Sequence, residues 1–435
     1  MRRSSARRPL PVRNWGLEAF APDDLDRLHQ ATLEILENTG VKVEESEEAF
    51  EIFASAGASV ERARGGRGGK DALVKIPPSV VEECLAKAPH DVVLKGRSPE
   101  YDCSLEARRV TFATMGELIQ IIDLESGELR PTTQQDSADI TRLCDSLDVV
   151  GVMHRPVASL DKPAGSHPIF NAESLFANTS KHVLIGPVNT RNLKTIARMA
   201  AAHVGGQQEF AQRPIFTTIV APTSPLTLVK DCVDMTIAAA RMDGGRILCS
   251  PAIVGGATGP VTLAGSLVCT NAEALAGLIL AQLVRPGTPV IYGNSGAMMD
   301  LRTANHGYGA PEMGMLDAAT ARLARYYRLP SLVSAFPGST KVLDPQVGYE
   351  SAMNALITAL AGLLLALLVG GGTPGICGQS GAMLVVRTGC LGFGAGVMGV
   401  VVGAAGRVGR ASRGRGVGAG GGGGTRGGVG LGGCG

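Results

Sequence analysis

The sequence lacks the features that mark several large classes of protein. Its nine cysteines show no CxxC or other paired spacing, which argues against a zinc site and favours reduced thiols in the cytoplasm. A formal net charge of +2 gives no electrostatic reason to expect binding to nucleic acid or to an anionic membrane. The only candidate membrane segment, residues 359–369, is shorter than the ~20 residues of a spanning helix.

Motifs of several common enzyme families are also missing. The chain contains no GxxxxGK[ST], GxSxG or HExxH sequence, which are the signatures of P-loop proteins, α/β-hydrolases and zinc peptidases. A glycine-rich run at residues 255–259 fits a phosphate cradle at the start of a helix, and it fits a tight turn equally well.

The carboxyl-terminal end lacks acidic residues and lysine altogether. None occurs after Glu350, and about half of the 59 glycines lie beyond Val369. Such a composition cannot bury enough apolar surface to offset chain entropy, so residues 370–435 are interpreted as a Gly/Arg-rich low-complexity tail. Residues 1–22, which contain five arginines, are interpreted as a short basic arm.

Residues 23–135 have the mixed pattern of an α+β extension. Asp23 and Asp24 precede apolar residues at helical spacing, which predicts a capped helix. Residues 110–112 and 118–122 predict short strands, and residues 65–69 predict a loop. Nothing in this segment indicates a chemical site.

Residues 136–369 repeat a strand, a turn and a helix. The predicted strands are 149–153, 183–185, 215–220, 247–254, 290–292 and 332–335. Strands that alternate with helices favour a parallel sheet, and their even spacing favours a (β/α)8 TIM-type barrel. Pro187, Pro225 and Pro260 follow three of these strands, and each is predicted to take the first position of a helix.

Two of the loops that follow the strands are rich in polar groups, and in such a barrel this is the face where active sites lie. Residues 294–312 and 338–350 contain the candidate substrate-binding residues Asp300, Arg302, Asn305, His306, Tyr308, Glu312, Lys341, Asp344, Gln346, Tyr349 and Glu350. Carboxylates and tyrosine rings suit a cationic ligand, and Tyr292 is predicted to lie near the same face. The alternative is structural: Asp300 pairs with Arg302, and His306 is an ordinary loop residue.

Five segments, in this order, resemble the trimethylamine methyltransferase family. They are KHVLIGPV at 181–188, PIFTTIVAPTSPLTL at 214–228, VGGATGPVTLAG at 254–265, GAMMDLRTANHGYGAPE at 296–312 and STKVLDPQVGYESAMNAL at 339–356. The likeness runs from about Pro22 to Gly362. It implies a barrel that moves a methyl group from a methylated amine to the cobalt of a separate corrinoid protein. The cobalt corrinoid would be carried by that partner, and this chain would bind no cofactor or metal itself.

The resemblance also implies roles for the loop residues. A quaternary ammonium leaves as a neutral amine, so the pocket must hold a cation whose charge is lost in the reaction. The acidic residues of the two loops would be counter-charges, and Arg302, His306 or Lys341 would hold the carboxylate of a betaine. Some members of the family contain pyrrolysine, and this sequence contains none, which favours a quaternary amine such as glycine betaine over trimethylamine.

The tail departs from the resemblance after Gly362. Members of the family continue with two further strands and charged helices, whereas here the residues are those with GC-rich codons, which a reading-frame shift would produce. We expect strand seven near Leu364 and strand eight near Val400 without covering helices, and therefore a barrel incomplete at its carboxyl-terminal end. The alternative function is a catalytically inactive remnant or an amine-binding protein. The sequence leaves open a homo-oligomer formed through the extension.

Overall fold

The computed structural model describes residues 20–62, 70–105, 110–114, 116–123, 126–148, 150–335, 338–339, 345–362 and 365–368. In chain order the helices are α1 (Pro22–Glu34), α2 (Glu47–Ser55), α3 (Pro78–Lys87), α4 (Gln134–Asp145), α5 (His167–Asn178), α6 (Thr190–Val204), α7 (Gln207–Gln212), α8 (Lys230–Arg241), α9 (Leu263–Val284), α10 (Pro311–Tyr326) and α11 (Pro345–Leu360). The strands are β1 (Val41–Val43), β2 (Ser59–Arg62), β3 (Ala72–Lys75), β4 (Val92–Leu94), β5 (Cys103–Leu105), β6 (Thr111–Thr114), β7 (Gln120–Ile122), β8 (Leu129–Pro131), β9 (Val150–His154), β10 (His182–Ile185), β11 (Phe216–Val220), β12 (Thr227–Leu228), β13 (Ile247–Cys249), β14 (Val254–Gly255), β15 (Val290–Asn294), β16 (Ala297–Asp300), β17 (Asn305–His306), β18 (Ser331–Val333) and β19 (Leu365–Leu368).

Eight parallel strands form a closed barrel in the order β6, β9, β10, β11, β13, β15, β18 and β19, and β19 pairs with β6. The helices α4, α5, α6, α8, α9, α10 and α11 follow the first seven of these strands in turn. All six strands predicted from residue 149 onward are confirmed as barrel strands. The expected seventh strand near Leu364 is confirmed as β19.

Two predictions about the ends of the barrel were wrong. The eighth position is taken by β6, which was assigned to the extension, so the barrel begins before residue 136 and needs no strand near Val400. A curled parallel sheet has two edges with unpaired backbone groups, and β6 pairs with both β9 and β19, which covers them. The predicted lack of a helix after β19, the predicted loop at 65–69, and the predicted arm and tail concern residues outside the described ranges, apart from residues 20–22.

The amino-terminal segment packs into the barrel instead of forming a separate body. Strand β1 pairs with β12, which lies in the loop after β11, and the hairpin of β4 and β5 closes the amino-terminal end of the barrel. The interior of the barrel joins that hairpin in one apolar cluster: Val92, Leu94, Leu105, Ala113, Val152, Leu184, Leu248, Ile291 and Leu332. Helix α1 begins as predicted, with Asp24 accepting the Ala21 N–H at 3.1 Å.

Helix α9 is the longest helix of the described residues and was overlooked as a candidate membrane segment. Its length and composition would allow it to cross a membrane, but 83% of its most apolar window is buried inside the fold. It also buries Asn271, which bonds to the hydroxyls of Tyr292 and Tyr327, and Glu273, which accepts from Ser224 at 2.7 Å. Polar groups satisfied in this way identify a core helix.

The prolines after the strands do not open helices, contrary to the prediction. Helix α6 begins at Thr190, where the Asn189 side chain accepts from Asn192 N at 2.9 Å, and α9 begins at Leu263, where Thr262 accepts from Gly265 N at 3.2 Å. Side-chain caps satisfy the free N–H groups, so these helices start at the caps, beyond the prolines. Helix α8 likewise begins at Lys230, beyond Pro225.

Candidate active site at the barrel mouth

The mouth of the barrel is the end at which the strands finish and the loops to the helices begin. Its described loops are 116–119 after β6, 155–163 after β9, 186–189 after β10, 221–229 after β11, 250–262 after β13, 295–310 after β15, and 334–335 with 338–339 after β18. Barrel enzymes bind their substrates at this end. The apolar interior cluster forms its floor.

An ion pair between Glu117 and Arg155 joins two neighbouring loops of the mouth. One guanidinium nitrogen of Arg155 donates to Glu117 Oε2, and another donates to the Gly186 carbonyl at 3.0 Å. The Arg155 side chain is 8% exposed, whereas the Glu117 side chain is 37% exposed. Burial lowers the pKa of Arg155, and the charge of Glu117 opposes this effect. The pair therefore presents its carboxylate and keeps its cation inside the protein.

The backbone around Glu117 is held in an uncommon conformation. Glu117 has a φ of 73°, in the left-handed region that residues other than glycine rarely adopt. At Gly116 an added Cβ would overlap the carbonyls of Arg155 and Pro156, so only glycine fits there. Conformations of this kind persist only where the surroundings fix them, and they cluster at functional sites.

His154 is the last residue of β9 and lies beside this ion pair in sequence. Its Nδ1 is 3.2 Å from the Arg155 carbonyl, which assigns the proton of the neutral ring to Nδ1 and leaves a lone pair on Nε2. Burial and the positive charge of Arg155 lower the pKa of His154 to about 3. The ring is therefore neutral at physiological pH and offers a hydrogen-bond acceptor without adding a charge.

The ends of β13 and β15 contribute hydroxyl groups. Ser250 Oγ and Ser295 Oγ are 2.9 Å apart, and a Cβ at Gly293 would come within 2.8 Å of the Ser250 Cβ. On the outer side of β15, the Asn294 amide donates to Asp317 Oδ1 at 3.3 Å. Asp317 is fully buried, and burial raises its pKa well above the usual value, against the opposing effect of the hydrogen bond from Asn294.

The first polar loop forms an exposed hairpin of β16 and β17. Asp300 closes its turn by accepting from Arg302 N and Thr303 Oγ1, each at 2.9 Å, and these hydrogen bonds lower the pKa of Asp300. This is the local role that the sequence analysis kept as the alternative, although the bond is to the backbone of Arg302. The side chains of Arg302, Asn305 and Glu312 are exposed as well.

The same loop ends in a half-buried aromatic pair. His306 Nδ1 lies 3.2 Å from the Tyr308 hydroxyl, and the two rings meet edge to face with their centroids 5.3 Å apart. The Tyr308 carbonyl accepts from Asn354 of α11 at 3.4 Å, which ties this end of the loop to the next helix.

The second polar loop is joined to the first through Glu350. This carboxylate accepts from Ser339 N and from Gln346 Nε2, both at 2.7 Å, and Ser339 Oγ accepts from Gly309 N at 2.7 Å. A Cβ at Gly309 would overlap the Glu350 carboxylate. Tyr349 is 78% exposed. Lys341 and Asp344 lie outside the described residues, and the binding roles of the two loops stay predictions.

The sequence analysis placed Tyr292 wrongly and did not find the ion pair of Glu117 and Arg155. Tyr292 faces away from the mouth, because Ile291 occupies the inward side of β15, and its hydroxyl donates to Asn271 at 2.8 Å. His154 and Arg155 directly follow the predicted strand 149–153, a position that could have revealed them. Across the described parts of the chain, no three His, Cys, Asp or Glu side chains gather as a metal site requires.

Residues 2–363 match the sequence profile of the family described as trimethylamine methyltransferase (MTTB). The chain belongs to the trimethylamine methyltransferase family. Trimethylamine methyltransferase MttB of Desulfitobacterium hafniense strain DCB-2 is 42% identical over 351 residues, which cover 81% of this chain and 69% of that protein. Glycine betaine methyltransferase of Desulfitobacterium hafniense strain Y51 is 30% identical over 353 residues, which cover 80% of this chain and 71% of that protein.

A solved structure, the hydroxylamine MtmB complex, covers 80% of this chain and 73% of its own at 10% identity and a TM-score of 0.48, a likeness too remote to support an argument. Membership in the trimethylamine methyltransferase family supports a methyltransferase activity for this chain, as the sequence predicted. The family match ends at residue 363, next to the point at which the composition changes.

Proposed function

We propose that this chain takes a methyl group from a methylated amine and transfers it to the Co(I) of a corrinoid protein. A quaternary amine such as glycine betaine is the proposed substrate, with trimethylamine as the second choice. The reduced cobalt of the partner supplies the nucleophile. This chain has to bind and orient the amine.

The charge distribution at the mouth is the observation that carries this proposal. The carboxylate of Glu117 is partly exposed, whereas the guanidinium of Arg155 is buried. His154 is neutral and offers the lone pair of its Nε2. A methylated ammonium ion therefore meets one accessible negative charge and no accessible positive charge from these three residues. The hydroxyls of Ser250 and Ser295 add polar oxygens without adding charge.

Arg155 also limits how tightly the mouth can hold a cation. The substrate loses its positive charge as the methyl group leaves, so strong attraction to a bare carboxylate would stabilise the bound substrate more than the transition state. The guanidinium beside Glu117 weakens this attraction. Glu117 then serves to orient the ammonium group while leaving the barrier to methyl transfer low.

The rim of the mouth suits a protein partner. Exposed apolar side chains occur after six of the eight barrel strands: Ile119, Leu160, Val188, Val261, Leu301 and Tyr349. Leu301 and Val261 are close together, because both flank Gly256. A Cβ added at Gly256 would lie 3.2 Å from the Leu301 side chain and 3.8 Å from the Val261 side chain. Exposed apolar residues grouped around a polar site are typical of protein docking surfaces, and we assign this one to the corrinoid protein.

The test is methyl transfer to a reduced corrinoid protein, followed by absorbance, from glycine betaine and from trimethylamine. We expect Glu117→Gln to lower kcat/KM about tenfold, equivalent to ~1.4 kcal/mol, and Glu128→Gln, an exposed carboxylate in the hairpin of β7 and β8, to leave it unchanged. No transfer from either amine by a folded chain would contradict the proposal. Equal losses of kcat/KM in both variants would show that Glu117 is not part of the site.

A second candidate function is that of an inactive remnant that still binds the amine. The observation that favours it is the sequence after residue 363, where the family match ends and which contains no acidic residue or lysine. A reading-frame shift near Gly362 accounts for both. Sequencing codons 355–375 in independent isolates tests the shift, and an uninterrupted frame would contradict it. Transfer by a frame-restored chain alone would favour the remnant.

A further inference from the structure

A cavity of about 160 Å³ opens at the amino-terminal end of the barrel, opposite the mouth. Its walls come from the residues just before β11, β13 and β15, namely Pro214, Arg246 and Pro289, and from the ends of α8 and α9. The apolar interior cluster and the hairpin of β4 and β5 lie between this cavity and the mouth. The cavity is therefore independent of the methyl-transfer site.

Arg246 is a partly buried cation that lines this cavity. Its Nε is buried, with no hydrogen-bond partner among the described residues. Burial lowers the pKa of Arg246, and the charge of Asp102 opposes this effect only from a distance. A guanidinium that loses water without gaining an acceptor is unfavourable, so this position is stabilised when an anion enters.

The nearest carboxylate is already occupied. Asp102 Oδ1 accepts from Arg213 at 2.6 Å and from Gly96 N at 3.1 Å, and its Oδ2 accepts from Lys95 at 3.0 Å. Three cations thus share this one half-buried carboxylate, and Arg246 is the one without a direct bond to it. The further carboxylate near Arg213, Glu100, is fully exposed. The three cations Lys95, Arg213 and Arg246 therefore outnumber the one carboxylate, Asp102, beside the cavity.

A second arginine, Arg285, also lines the cavity. Arg285 bonds to Asp243 at 3.2 Å, and both side chains are more than half exposed. Exposed pairs of this kind contribute only ~0–1 kcal/mol, so Arg285 can turn towards a ligand at little cost. Gly244, Gly245 and Gly287 also line the cavity.

From this geometry we infer a binding site for a small phosphate-type anion, held between Arg246 and Arg285 at the amino-terminal end of the barrel. Planar guanidinium groups bind phosphate oxygens in pairs, and the cavity has room for one such group. Free inorganic phosphate and the phosphoryl group of a small metabolite share this chemistry. The inference does not depend on the proposed methyl transfer.

The experiment is calorimetric titration of the full chain with inorganic phosphate and, in a second arm, with ribose 5-phosphate. Potassium chloride at matched ionic strength is the reference. We expect saturable phosphate binding that weakens at least tenfold in Arg246→Gln and changes less than twofold in Arg241→Gln, an exposed arginine outside the cavity that pairs with Glu48. Tighter binding of ribose 5-phosphate than of phosphate would identify a phosphorylated metabolite, and equal or weaker binding would identify the free ion.

Two outcomes would overturn the inference. One is a heat of phosphate addition no different from that of chloride, and the other is equal affinity in the wild-type chain and a folded Arg246 variant. If Arg246→Gln does not fold, Arg246→Lys keeps the charge and removes the paired donors. Phosphorus NMR line broadening should then show weaker binding by that variant, and an unchanged affinity would count against the site.

Discussion

The ion pair at the mouth allows a test in which its two halves behave differently. Glu117→Ala removes the carboxylate. Alanine disfavours a positive φ as glutamate does, so the free-energy cost of the backbone conformation at residue 117 is similar in the wild-type chain and the variant. Arg155→Met removes the guanidinium and keeps most of the side-chain volume. The double variant completes a thermodynamic cycle.

The expected losses in the free energy of unfolding follow from the exposed fractions of the Arg155 and Glu117 side chains. The Arg155 side chain is 8% exposed, so without Glu117 its guanidinium would be a buried charge that still donates to the Gly186 carbonyl, and an unpaired buried charge costs about 3–5 kcal/mol. Without Arg155, the Glu117 carboxylate is already 37% exposed and regains water, so we expect a cost of only about 1 kcal/mol. The double variant should therefore be more stable than Glu117→Ala alone.

Urea unfolding of the four proteins measures these costs, and titration with tetramethylammonium reports the site. We expect Arg155→Met to bind this cation more tightly than the wild-type chain, because its carboxylate is no longer neutralised. Equal costs of the two single variants, or additivity within about 0.5 kcal/mol, would refute the reasoning from burial. Weaker cation binding by Arg155→Met would refute the role assigned to Glu117.

Three further predictions concern residues behind and around the mouth. Asp317 has a raised pKa, so the folded chain keeps its proton while the unfolded chain loses it, and stability falls as pH rises above the usual carboxyl value of ~4. Asp317→Asn should add about 1–3 kcal/mol at pH 7 and little at pH 4 in urea unfolding, and an equal effect at both would contradict a raised pKa for Asp317. Asn271→Ala leaves the hydroxyls of Tyr292 and Tyr327 without their amide partner and should cost about 2–4 kcal/mol by the same method, whereas a loss under 1 kcal/mol would dismiss the network. Asp300→Ala should weaken binding of a cationic ligand and its neutral isostere equally, because the Asp300 carboxylate closes its own turn, and a loss confined to the cation would support the predicted binding role of Asp300.

The repeating part of the fold could be predicted because each barrel strand is a short apolar run that the helices cover. Such runs are visible in a single sequence, and six were located correctly. Strand β6 carries the same signal, but its position before the first full repeat assigned it to the extension. The pairing of β6 with β19 shows that the barrel starts at β6. Pairing between strands about 250 residues apart produces no pattern in the sequence near either strand.

The ion pair at the mouth was harder to predict, because density of polar residues is a poor guide to burial. The hairpin around Asp300 is the most polar loop, and its side chains mostly face water while its own turn uses the carboxylate. Glu117 stands in a segment with few charged neighbours, and its contact with Arg155 depends on adjacent barrel strands. A reading that weighed position after a strand above composition would have selected His154 and Arg155.

The seam between β6 and β19 joins the two ends of the barrel and constrains when the barrel can close. Residues 111 and 365 are paired there, so this contact is among the most distant in the chain and cannot form before nearly all of the barrel has been synthesised. Strand β19 also lies just beyond residue 363, and it meets β18 through only two residue pairs. Amide hydrogens along β18 and β6 should therefore exchange with solvent sooner than those of β11 and β13, because the ring opens first where it closed last.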